Sequence, residues 1–343
     1  MKILNTILLS MLILVSTSYG QKKKTEIVAP APNYELRLRL EVDRLSKLSG
    51  GKLGVTAIHV ETGKRFSQNG QEMFPMASSY KIPIAIQLLN KVDSGKLSLD
   101  QLVEFNYHDL HTGSGMISDR FNWPKSAKPG LALSVRSLLE LMLLISDNSA
   151  TDACLKLAGG PAVVTANLKR LGINGIRVDR PTSLLIADWL GLSVNENALK
   201  PIEVFDSLEK TLSPEQVKIS SGKFDADPKD TSTPDDMAEL LLMLQTKSIL
   251  KKESQELLLD IMSRCETGLT RLKGMLPPST EVKHKTGTIG MTTNDVGIIT
   301  LPGDAGHLVV AAFVKSSDKE IPERERAIAE VTRALYDYFL FLH

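Results

Sequence analysis

The chain has 343 residues, 42% of them apolar, enough to bury a large core in one big domain or two ordinary ones. With 41 Lys and Arg against 40 Asp and Glu, a net charge of +1 gives no electrostatic reason to expect nucleic acid or an anionic membrane as partner. Cys154, Cys265 and six scattered histidines form no metal-ligand pattern, so neither a metal nor another cofactor is expected, and the two thiols read as small buried residues.

Met1–Gly20 reads as a secretory leader. Lys2 is its positive start, Ile7–Val15 is an apolar run broken by Ser10, and Ser18-Tyr19-Gly20 offers small residues for cleavage. The run is short for a bilayer span and Gln21-Lys22-Lys23-Lys24 follows at once, so export without a stable membrane anchor is expected. Tyr34–Ser49 carries Leu38, Val42, Leu45 and Leu48 on one helical face and stops at Gly50-Gly51. Leu53–Val60 and a return from Arg65 flank the turn Glu61-Thr62-Gly63-Lys64. Helices are predicted next at Ile82–Val92, Val135–Ile145, Ala150–Leu157, Asp235–Leu244 and Ser254–Met262, making the middle almost wholly α. Strands return at Val282–Thr288, Asn294–Thr300 and Leu308–Val314, and Pro322 marks a closing helix, Glu323–Leu340. The economical architecture is a discontinuous α/β domain, 33–74 with 266–343, and an inserted all-helical domain, 75–265.

Three short motifs lie on these elements in order: Ser78-Ser79-Tyr80-Lys81, Ser146-Asp147-Asn148 and Lys285-Thr286-Gly287. Together they supply a nucleophile, a candidate base, a proton relay and a cationic strand. A Ser-x-x-Lys pair alone is weak, since five others begin at Ser49, Ser207, Ser220, Ser248 and Ser316. Context selects Ser78: it opens the apolar helix Ile82–Val92, and three residues of spacing bring the Lys81 amine one turn away on the same face. An N-cap serine beside a solvated lysine is the bland alternative. Ile82-Pro83-Ile84-Ala85-Ile86 argues against it, because a helix apolar nearly all round is buried, and a buried lysine has a lowered pKa. Ser146-Asp147-Asn148 could equally be a capped helix junction, and Lys285-Thr286-Gly287 a surface strand with a bulge.

The joint pattern resembles the penicillin-recognising serine enzymes, most closely the class A β-lactamases, from about Leu36 to the C-terminus. Phe74-Pro75-Met76-Ala77-Ser78, Leu144–Ala150, Thr267-Gly268, Arg271-Leu272-Lys273-Gly274 and His284–Thr288 with Thr293–Ile299 carry the likeness. It implies an antiparallel sheet flanked by terminal helices beside a helical domain, and a monomer acting on a small-molecule β-lactam. By matching positions, Ser78 would be the nucleophile, Lys81 its base and Ser146 the proton relay. Asn148 would hold the substrate amide, and Lys285, Thr286, Gly287 and Thr288 would bind at the carboxylate end. The backbone N–H groups of Ser78 and Thr288 would form the oxyanion hole. No arginine lies between Thr288 and Lys315, so an Arg anchor from the following strand is missing.

The likeness breaks at the loop that carries the family's deacylating glutamate. Val178-Asp179-Arg180-Pro181-Thr182 resembles its start and Lys229–Pro234 its exit, a span of about 179–234 that is much longer than usual. Thr182 stands at the Glu position, and a threonine hydroxyl is no general base near neutrality. Asp188, Glu196, Glu203, Asp206, Glu209 and Glu215 lie downstream, each readable as a solvated charge. The function expected is exported β-lactam hydrolysis through a Ser78 acyl-enzyme, with release that is slow unless one of these carboxylates or Lys81 replaces the missing base. The alternatives are a β-lactam-binding protein with little turnover and a small D-Ala-D-Ala peptidase.

Overall fold

The computed structural model describes residues 33–111, 113, 115–120, 130–200, 202–246 and 249–341. The predicted leader lies outside them.

Five antiparallel strands form the main sheet: β1 (Lys52–His59), β2 (Arg65–Gln68), β7 (Val282–Ile289), β8 (Thr292–Thr300) and β9 (His307–Lys315), in the order β2-β1-β9-β8-β7. β8 and β9 are buried along nearly their whole length because helices cover both faces. One face packs on α1 (Tyr34–Ser46) and α12 (Ile321–Leu340): Leu38, Val42 and Leu45 meet Val55, Ala57, Val310, Ala312, Val331 and Leu335. Terminal helices therefore close one layer, as the strand and helix order predicted.

The other face turns Ile58, Val296, Val309, Ala311 and Phe313 toward the helical core. At its centre is α2 (Lys81–Asp93), buried on almost every side and packed against α4 (Val135–Leu144), α5 (Asn148–Ala158), α6 (Pro161–Arg170) and α11 (Lys252–Ser263). α10 (Pro234–Thr246) lies across β1 and β9. Local chemistry sets the ends: Ser134 caps α4 by accepting from Ser137 N–H, and Gly159 ends α5 at φ 109°, a conformation costly for a residue with a Cβ. The middle is not wholly α. β4 (Leu102–Phe105) pairs with β5 (Leu131–Ser134), and β3 (Phe74–Pro75) with β6 (Thr231–Ser232). α3 (Met116–Arg120) is a single short turn of helix.

The long 179–234 span is folded. Its ends are clasped where Asp179 N–H donates to Asp230 Oδ1 (2.7 Å), Asp230 N–H returns to Asp179 Oδ2 (2.9 Å), and Arg180 Nε donates to Asp230 Oδ2 (2.6 Å). Arg180 also bonds Asp188 and Asp227 and stacks over Phe224. Between these ends run α7 (Thr182–Leu190), α8 (Ile202–Glu209) and α9 (Pro214–Asp225), with a small core of Ala187, Leu190, Leu199 and Phe205. The predicted start and exit of the loop thus meet in space. Its helices went unpredicted because their apolar faces are short and pack mainly on one another.

Candidate active site

Ser78 stands on a 3₁₀ turn, Ala77–Tyr80, that runs straight into α2. Capping positions fall at Met76 and Tyr80, so Ser78 is no N-cap. Ala77, just before it, has φ +44°, which is strained for a residue with a Cβ. Two strands hold that turn. Asn294 of β8 donates to Pro75 O (2.8 Å) and Met76 O (3.0 Å). Gly287 of β7 comes so close that a Cβ there would sit 2.5 Å from Met76 O and 3.1 Å from Ser78 N. Gly287 is therefore required for packing, a role that spacing alone does not reveal.

Ser146 stands at φ +63° between α4 and α5, in the tight junction made when Asp147 caps α5 through Ala150 N–H (2.8 Å). Asp147 Oδ2 also accepts from Ile117 N–H (2.9 Å). The junction delivers Ser146 and Asn148 to Lys81, which is fully buried. Lys81 Nζ lies 2.8 Å from Ser146 O, 3.0 Å from Ser146 Oγ and 3.1 Å from Asn148 Oδ1. All three contacts tie the amine to the second motif. Burial, helped by the nearby Lys285 charge, pushes Lys81 well below an ordinary lysine.

Lys285, also fully buried, enters from β7. Its Nζ bonds Ser146 Oγ (3.1 Å) and Thr286 O (3.0 Å), and burial lowers its pKa to about 8. All three motifs thus converge on the Ser146 hydroxyl. A cleft of about 540 Å³ opens beside it, lined by Ser78, Ser146, Asn148, Thr286 and Thr288 among others. It contains one cationic side chain that the sequence reading did not assign to the site. Arg271 Nη2 donates to Thr288 Oγ1 (2.6 Å) and Nη1 to Gly287 O and Asn294 O, while Glu325 holds Nε. A guanidinium thus reaches Thr288 from the segment before β7. Arg271 was visible within that segment, but its reach across to Thr288 was not.

Thr182, at the first position of α7, lines the cleft with its hydroxyl 2.5 Å from Tyr80 OH. Its N–H donates to Asp152 Oδ1 (2.6 Å), which ties the loop to α5. Burial, with Asp152 nearby, raises the Tyr80 phenol well above its usual range, so it stays protonated. Of the six downstream carboxylates, Asp188 is held by Arg180 and Glu196 by Lys200, and Glu209 alone lines the cleft. Cys154 and Cys265 are buried free thiols. Among the described residues no helix is long and apolar enough to cross a membrane.

Residues 37–339 match the model of the β-lactamase enzyme family. The chain is 27% identical to β-lactamase VEB-1 of Pseudomonas aeruginosa over 99% of each chain. It is 32% identical to the extended-spectrum β-lactamase PER-1 of the same organism, over 79% of this chain and 77% of that one. Among solved structures, a β-lactamase from Chitinophaga pinensis superposes with a TM-score of 0.72 at 30% identity, covering 88% of this chain and 98% of that one. An ancestral class A β-lactamase gives a TM-score of 0.69 at 31% identity, covering 88% and 99%.

Proposed function

The chain belongs to the β-lactamase enzyme family and has the class A β-lactamase fold, and we propose that it is an exported serine hydrolase of β-lactams working through an acyl-enzyme on Ser78. The observation that carries this reading is the Ser146 hydroxyl held between two buried lysines beside the cleft that Ser78 lines. Burial disfavours the Lys81 ammonium, which makes the neutral, proton-accepting amine far more accessible than in an ordinary lysine. Ser78 Oγ attacks the lactam carbonyl and its proton passes to Lys81. Oxyanion charge falls on the N–H groups of Ser78 and Thr288. When the C–N bond breaks, Ser146 hands its proton to the lactam nitrogen and is resupplied from the lysine side. Lys285, Thr286, Thr288 and Arg271 hold the substrate carboxylate, and Asn148 its side-chain amide.

Release of the acyl group is the weak step. Thr182 occupies the position of the deacylating carboxylate, and its hydroxyl is shared with a phenol that stays protonated. Neither group is a base, so the acyl-enzyme accumulates. Intact-mass measurement during exposure to a penicillin tests the reading: one adduct is expected on the parent and none on Ser78→Ala. Labelling that survives Ser78→Ala would sink it.

A further inference from the structure

Glu209 ends α8, inside the long 179–234 segment. It is exposed, yet it lines the catalytic cleft together with Trp189, Phe205 and Gly290. Trp189, Glu209 and Gly290 also line a second groove of about 520 Å³, so the cleft continues outward past them. Among the described residues lining the inner cleft, Glu209 is the only acid, and it makes no ion pair with another described residue. Lys218 lines the outer groove and not the inner cleft. Arg271, the one cation among the described residues that line the cleft, is bound to Glu325, Gly287 O, Asn294 O and Thr288. The cleft is therefore electrically polar: Arg271 and Lys285 mark one end, and an unneutralised carboxylate beside an indole and a phenyl ring marks the other.

We propose that Glu209 is a specificity residue that selects β-lactams carrying a cationic group on the acyl side chain. The inference rests on the hydrolase reading above. With the invariant substrate carboxylate at the Lys285 end and the amide on Asn148, the side chain points outward toward Gly290 and Trp189. An ammonium group there meets the Glu209 carboxylate beside Trp189 and Phe205, and aromatic rings favour a cation. A carboxylate in the same place meets repulsion. The 179–234 segment thus brings a charge filter to the site as well as a wall.

The test uses three penicillins that share a nucleus and a phenyl ring and carry an α-ammonium, no charge or an α-carboxylate on the side chain. kcat/KM reports steps up to acylation, so slow release does not mask it. The kcat/KM ratio of ammonium to carboxylate substrate should fall about fivefold in Glu209→Gln and more than tenfold in Glu209→Lys, while Glu209→Asp keeps most of it. In the parent the ratio should shrink as salt rises, because the contact is solvent-exposed. A ratio unchanged in Glu209→Lys overturns the proposal. So does an equal loss on all three substrates, which would make Glu209 a base or a structural support. If the parent shows neither hydrolysis nor a Ser78 adduct with all three substrates, the hydrolase reading and this proposal fall together.

Discussion

Lys81 and Lys285 meet at one hydroxyl: Ser146 Oγ is 3.0 Å from the first Nζ and 3.1 Å from the second. Two ammonium ions sharing a buried acceptor repel each other, and burial disfavours both charges. The burden is unequal. Lys81 is lowered further than Lys285, which titrates near 8. The neutral form is therefore favoured more at Lys81 than at Lys285, which matches the roles of base and anchor.

The first prediction is a pH profile. Because the Lys285 pKa is lowered to about 8, its charge is present below that pH and lost above it. kcat/KM should therefore hold through neutrality and fall above about pH 8. Lys285→Arg keeps its charge to far higher pH and should move the alkaline limb upward by more than a unit, at reduced overall rate. Initial rates with a chromogenic cephalosporin between about pH 6 and 10 decide it. A parent profile flat to pH 10 would remove Lys285 as the titrating anchor.

Arg271 gives the second prediction. Arg271→Ala strips the hydrogen-bond donor from Thr288 Oγ1 and leaves Glu325, 16% exposed, without its cation and with only the Thr270 hydroxyl as donor. KM for β-lactams should rise at least tenfold, and stability should fall by about 2–3 kcal/mol. Arg271→Lys keeps the charge but loses the fork that reaches several acceptors at once, so it should recover little of the KM loss. Steady-state kinetics and thermal melts read both effects. An unchanged KM in Arg271→Ala would take the guanidinium out of substrate binding.

Most of this fold could be read from sequence because its signals are local. Gly50-Gly51, Gly159 and Pro322 punctuate the helices, and the β-branched strands from Val282 onward alternate with turn residues. The site was legible for a different reason: helix spacing ties Lys81 to Ser78, and the three motifs name their chemistry. What could not be read depends on distant contacts. Arg271 reaches Thr288 only after β7 folds back, Gly287 matters only because the turn at Met76 lies against it, and Glu209 reaches the cleft only once the three loop helices pack on one another.

Gly287 therefore carries the third prediction. In Gly287→Ala the new methyl would lie 2.5 Å from Met76 O, and the atoms in the way are backbone. The strand and the nucleophile turn must separate. A shift approaching 1 Å there should slow acylation about a hundredfold, while the melting curve stays cooperative. Acylation of Gly287→Ala at the parental rate would show that the turn tolerates displacement.

The last prediction concerns the lifetime of the intermediate. The Thr182 and Tyr80 hydroxyls face the cleft where a base is needed, and neither ionises near neutrality. Stopped-flow mixing with a chromogenic cephalosporin should give a burst about equal to the enzyme concentration, then a slow linear phase. Thr182→Glu should quicken that slow phase at least tenfold, since a positioned general base typically contributes on the order of a hundredfold or more. The position favours the new carboxylate: it starts α7, where the helix dipole stabilises negative charge, and Tyr80 OH is there to bond it. Asp152 opposes it, because that carboxylate already accepts from the Thr182 and Ser183 N–H groups. Asp152→Asn in the Thr182→Glu background should then give a further gain by removing the like charge while keeping one oxygen, enough for the shorter bond from the Thr182 N–H. A parent enzyme that turns over linearly with no burst would refute slow release, and attention would pass to Glu209, the one downstream carboxylate that lines the cleft.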